Sequence, residues 1–139
     1  MNQAVIFWPL LAQVLLVYIV YAVLSARRRH AVRSGEARVN QFKTRSTEPE
    51  SSVTAANNVI NQFELPVLFY VVSLSLYVTS GVSYVALLLA WLFVALRYVH
   101  AWFHLTSNRV KYRSTAFIAG ALLLALLWIW FALHLAGAA

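Results

Sequence analysis

Glu64 and Arg97 are the one carboxylate and the one Lys or Arg that fall inside long apolar stretches of this chain. A charge at the centre of a membrane helix costs on the order of 2.5–3.5 kcal/mol on insertion scales, so such residues usually face the protein interior and mark sites. Each is accompanied by polar residues at helical spacing. Asn57, Asn61 and Glu64 recur at i, i+4 and i+7, on one predicted helix face, and Asn58 and Gln62 widen that face. Arg97, His100 and His104 recur at i, i+3 and i+7, and Arg113 and Ser114 follow at the start of a later apolar stretch. The set offers several cationic donors, amides and one carboxylate. That chemistry suits an anionic, polar ligand with an ammonium or amide to present. Interhelical polar contacts also serve as structural glue in membranes, so a binding site and a bundle lock both remain open. His100 and His104 lack the further ligands of a zincin-type site, and no metal is expected.

The elements that must position these residues are four apolar stretches, at about 4–24, 59–79, 82–105 and 115–136. The chain has 139 residues, 62% hydrophobic and 11% charged, against about 25% charged in a soluble domain. A span needs about 20 apolar residues, and backbone groups cannot stay unpaired in lipid, so each stretch is predicted to be a helix. The alternation of a membrane β-strand is missing. The expected fold is an all-α membrane protein, a four-transmembrane-helix up-down bundle forming a single membrane domain over 1–139. Its longer loops would be about 25–56 and 106–114. The first stretch has no Lys or Arg before it and no small-residue cleavage pattern after it, so it reads as a retained helix rather than a signal peptide. There is no cysteine, which excludes disulfides and thiolate metal sites.

The formal charge of +7 would suggest nucleic acid in a soluble protein. Here ten of the eleven basic residues lie in two loops: Arg27, Arg28, Arg29, Arg33, Arg38, Lys43 and Arg45 in the first, Arg109, Lys111 and Arg113 in the second. Two helices separate these loops, so they share one side, which the positive-inside rule makes cytoplasmic. Both termini are then outside, and no nucleic-acid partner is expected. The Arg27-Arg28-Arg29-His30 run extends the end of helix one and suits an anchor to anionic lipid. Thr79-Ser80-Gly81 is a short uncharged link that makes helices two and three an antiparallel hairpin. Glu64 lies about seven residues, roughly 10 Å, from the loop side, and Arg97 about eight residues, roughly 12 Å. Equal depth on neighbouring helices predicts an ion pair between them. Pro66 is expected to kink helix two. The Ser46–Ser52 segment reads as a turn into that helix, with Ser52 or Thr54 as its cap.

At these residues the sequence resembles the MAPEG superfamily, membrane-associated proteins in eicosanoid and glutathione metabolism. Two segments carry the resemblance. Asn61-Gln62-Phe63-Glu64 followed by Pro66 is similar to the family's N-x-x-E then Pro pattern. Arg97-Tyr98-Val99-His100, with Asn108-Arg109 and Arg113-Ser114 after it, is similar to the R-x-x-H stretch leading into a basic start of helix four. The resemblance implies a homotrimer of four-helix subunits that binds glutathione between neighbouring subunits near the cytoplasmic face. It implies Asn61, Glu64, Arg97, His100 and Arg109 as cofactor-binding residues. It also implies Arg113 or Ser114 as the catalytic group that stabilises the glutathione thiolate. The chain departs from several relatives where Ala56, Asn57, Asn58 and Ile60 replace arginines, and where His104 and Phe117 replace tyrosines.

The function so implied is a glutathione transferase or peroxidase acting on a lipophilic small molecule that arrives through the bilayer. Short loops and compact termini suggest a bacterial-type member in the inner membrane. The alternative is a non-catalytic lipid-binding or scaffold protein on the same fold. A third class, small four-helix exporters, carries its key carboxylate in the first helix, where this chain has only Gln13 as an internal polar group.

Overall fold

A computed structural model describes residues 1–44 and 47–137. Arg45 of the basic loop and Ser46 of the expected turn lie outside the described residues. The described chain is helical without strands, and four of its helical spans are long and apolar enough to cross a membrane. Five α-helices make up these spans: α1 (Phe7–Arg33), α2 (Glu50–Asn61), α3 (Leu65–Val78), α4 (Tyr84–Leu105) and α5 (Val110–Leu135). Short 3₁₀ turns at Gln3–Ile6 and Val39–Lys43 precede α1 and follow it.

Three boundaries differ from the expected ones. Helix α1 overruns the expected end at residue 24 by nine residues, because the Ala- and Arg-rich run after Leu24 is made of good helix formers. It stops where Gly35 takes φ +79°, a left-handed conformation that closes the last turn through bonds from Gly35 N to Val32 O and Ala37 N to Ala31 O. The expected loop 25–56 is therefore confined to 34–49. The second span starts early, at Glu50. Pro49, not Ser52 or Thr54, holds the cap position, and Ser52 Oγ instead donates to Glu48 Oε1 at 2.6 Å. Helix α5 begins at Val110 rather than 115, so Lys111, Arg113 and Ser114 occupy its first turns.

The expected kink at Pro66 is a full break. Proline has no N–H for the carbonyl of Gln62, and its ring crowds that group. Helix α2 accordingly ends at Asn61, a tight turn runs through Gln62 to Glu64, and α3 restarts at Leu65. Glu64 sits in the break with φ −97° and ψ −107°.

The packing divides into two apolar clusters. One joins Ile6, Phe69, Leu76, Ala90, Phe93 and Leu127 at the end carrying the short link. The other joins Leu16, Val20, Leu24, Ala55, Val59 and Ala101 at the end carrying the charged loops. Small residues such as Ala86, Ala90 and Ala101 let the helices approach closely, as membrane packing requires. Gln3 and His134 tie both chain ends to the α3–α4 link. Gln3 Oε1 accepts from Val82 N at 2.8 Å, and His134 Nε2 lies 3.2 Å from Thr79 O. At the opposite end Arg27 fastens three helices: Nη1 donates to Thr54 Oγ1 at 2.7 Å and Nη2 to the Leu105 carbonyl.

Candidate functional site

A cleft of about 460 Å³ opens at the charged-loop end. Helix α2 contributes Asn57 and Asn61 to it, α4 contributes His100 and His104, and α5 contributes Arg113 and Ser114. The spacing explains the arrangement: each pair on α2 and α4 is four residues apart, one turn of the same face. Arg113 and Ser114 enter because α5 starts directly below the end of α4. Asn108, in the left-handed region at φ 47°, makes that sharp reversal, which its side chain tolerates. Its Oδ1 accepts from Arg113 Nη1 at 2.7 Å and so holds the guanidinium at the helix start. Ser114 Oγ donates to the Lys111 carbonyl at 3.1 Å.

The two histidines are arranged edge to face, with ring centroids 5.6 Å apart. His100 Nδ1 lies 3.0 Å from the Arg113 carbonyl oxygen. A carbonyl only accepts, so Nδ1 carries the proton and Nε2 is left as an acceptor, without a partner among the described residues. Asn61 Nδ2 lies 3.5 Å from His104 Nδ1, a long contact. Phe117 closes the inner wall against His100, 5.6 Å between centroids, and under the Arg97 guanidinium at 6.0 Å.

Arg97 and Glu64 are placed differently from expectation. Arg97 is buried, and its Nη2 donates to the Asn61 backbone carbonyl at 2.8 Å, while Nε and Nη1 have no partner among the described residues. Glu64 is exposed and forms no ion pair with it; among the described residues the one ion pair is Arg28–Glu48. The break explains this. Periodicity puts Glu64 on the face of Asn57 and Asn61 only if the helix is continuous, and the turn at Gln62–Glu64 rotates it away. Glu64 lines a separate groove of about 340 Å³ with Tyr21, Ile60 and Phe63, which shares no residue with the cleft. Arg109 caps α5 and is exposed outside the cleft.

Asn58 and Gln62 do not widen the polar face as expected. They turn inward and form a buried chain: Gln13 Nε2 donates to Gln62 Oε1 at 3.0 Å, Gln62 Nε2 to Asn58 Oδ1 at 2.8 Å, and Asn58 Nδ2 to the Ala101 carbonyl at 3.3 Å. Gln13 as the internal polar residue of helix one was the signal that could have found it. Sequence reasoning also missed the Arg28–Glu48 pair, in which Nε and Nη2 bind the carboxylate at 2.9 and 2.6 Å. That hydrogen bonding, helped by Ser52, holds the Glu48 carboxyl below the usual carboxylate range. Nothing in linear spacing announces a contact between residues twenty positions apart.

Four apolar spans enclosing a line of buried polar residues, with a polar cleft at the charged end, define a polytopic integral membrane protein. The chain belongs to the MAPEG family, whose family model matches residues 5–133. Neither the curated proteins nor the solved structures yielded a match.

Proposed function

We propose that this MAPEG protein is a membrane-bound glutathione transferase or peroxidase acting on lipophilic electrophiles. The observation that carries the reading is the convergence of Arg113, Ser114, His100, His104 and Asn61 on one cleft at the charged-loop end. A guanidinium or hydroxyl beside sulfur favours the charged form of a thiol and lowers its pKa. In the transferase reaction the glutathione thiol loses its proton, sulfur forms a bond to the electrophilic carbon, and the leaving group departs with its electron pair. The charged tripeptide enters from water and the apolar substrate from the bilayer, so a site at their boundary serves both. By the positive-inside rule that end faces the cytoplasm, with both termini outside, and the setting is a bacterial inner membrane.

The Glu64 groove and the Arg113 cleft lie apart on one chain. A homotrimer with glutathione between subunits would set one copy's Glu64 and Tyr21 against its neighbour's cleft and reunite the residues the break separates. Arg97 lines neither the groove nor the cleft; it binds the Asn61 carbonyl and positions the α2 end, while Asn61 itself lines the cleft.

One observation favours a second reading. Arg113 is already engaged by Asn108, which suits a structural arginine in a non-catalytic lipid-binding or scaffold protein. A conjugation assay separates the two. Purified protein is given glutathione and a chlorodinitroarene, with native mass spectrometry reporting assembly and bound tripeptide. Turnover with glutathione retained by a trimer supports the enzyme; no turnover and no glutathione binding in intact protein favours the scaffold reading.

A further inference from the structure

The overrun of α1 builds a second groove, separate from the cleft. The apolar part of α1, Phe7 to Ala26, is twenty residues long, about 30 Å, which matches the hydrocarbon thickness. Arg28 to Arg33 therefore stand about 3–10 Å beyond it, at the level of lipid head groups. There α1 and the 3₁₀ turn Val39–Lys43 enclose a groove of about 320 Å³ lined by Arg28, Arg29, Val32, Arg33, Val39 and Phe42.

The three arginines are not equivalent. Arg28 is neutralised by Glu48 and its guanidinium lies over the Phe42 ring, 5.1 Å from the centroid, so it forms a wall rather than an anion ligand. Arg29 and Arg33 are exposed, one turn apart on the same face, and their side chains have no hydrogen bond or ion pair among the described residues. Between them and the Phe42 wall, Val39 is 70% exposed. Two uncompensated cations beside an uncovered apolar floor call for a ligand that is anionic at one end and apolar at the other.

We propose that this groove is a binding site for an anionic phospholipid, with its phosphodiester between Arg29 and Arg33 and its glycerol and upper acyl chain against Val32 and Val39. Free phosphate would satisfy the guanidiniums and leave Val39 in water. A second copy of the chain would bring another strongly basic loop against this one and be repelled. The site is independent of the glutathione reading, since no residue of the groove lines the cleft.

The test uses the full chain reconstituted with phosphatidylcholine, with and without phosphatidylglycerol, and counts the lipids retained in native mass spectrometry. Wild type retains phosphatidylglycerol over phosphatidylcholine. The exposed double variant Arg29→Ala/Arg33→Ala loses that preference by on the order of tenfold, and Val39→Asp weakens it. Lys111→Ala, in the first turn of α5, leaves it unchanged. Equal loss with Lys111→Ala would reduce the effect to diffuse charge and overturn the site. So would retention of the preference in the double variant, or displacement of the lipid by inorganic phosphate.

Discussion

The guanidinium of Arg97 is bonded to the backbone of Asn61, not to the carboxylate of Glu64. The carbonyl it meets belongs to the last residue of α2, and carbonyls at a helix end have no partner within the helix. The end of α2 at the break leaves that group open, and Arg97, from the neighbouring helix, donates to it. The buried arginine thus repairs a helix break from a neighbouring helix.

Substitution of Arg97 by Met should cost about 1 kcal/mol, at the low end of the penalty for leaving a buried acceptor unpaired. Two unpartnered guanidinium nitrogens are removed at the same time, which works in the opposite direction. Asn61→Ala keeps the carbonyl and loses only the 3.5 Å contact to His104, so its loss should be smaller. Reversible unfolding in mixed micelles measures both; the opposite ranking would exclude the repair role.

Arg113→Ala should weaken glutathione binding by about tenfold, the scale of one lost charge-assisted hydrogen bond. The backbone carbonyl that orients His100 is retained in this variant. Glu64→Gln should weaken binding as well if the tripeptide spans two subunits. Calorimetry on detergent-purified variants reads both, and unchanged affinities would remove the glutathione reading.

Glu48 gives the loop a pH dependence of known sign. Its pKa is depressed in the folded protein by Arg28 and Ser52. The stabilisation is therefore complete above the unfolded value of about 4.3 and is lost as pH falls through the lower folded value. The pair is partly exposed, which keeps its worth at about 1 kcal/mol or less. Thermal midpoints of wild type and Glu48→Gln should differ at neutral pH and converge in acid; a gap that persists or widens in acid would contradict the assignment.

Gly81 has no room for a side chain. A Cβ there would stand 2.5–3.0 Å from the His134 ring, and overpacking of this kind costs about 1–3 kcal/mol. Gly81→Ala should destabilise the end of the bundle that carries the termini by displacing His134 from Thr79. The double variant Gly81→Ala/His134→Ala should recover most of the loss. Failure of the second substitution to rescue the first would place the strain elsewhere.

Much of the architecture was legible in the residues alone. Four stretches too apolar for water must be helices in lipid, because no other local structure pairs every backbone group, and the basic loops had to share a side. The resemblance at Asn61–Pro66 and Arg97–Ser114 likewise needed only the order of residues. Helical periodicity, however, assigns faces only along an unbroken helix. Once Pro66 severed the second span, Glu64 left the face predicted for it and Arg97 took a backbone partner, while Asn58 and Gln62 face inward and join Gln13 in a buried chain. Contacts such as Arg28–Glu48 and the reach of Arg27 to Leu105 join residues far apart in the chain. Only the packed helices decide them, since the energy that places a polar group in a membrane depends on which partner is near in space, and spacing along one strand of sequence does not contain that distance.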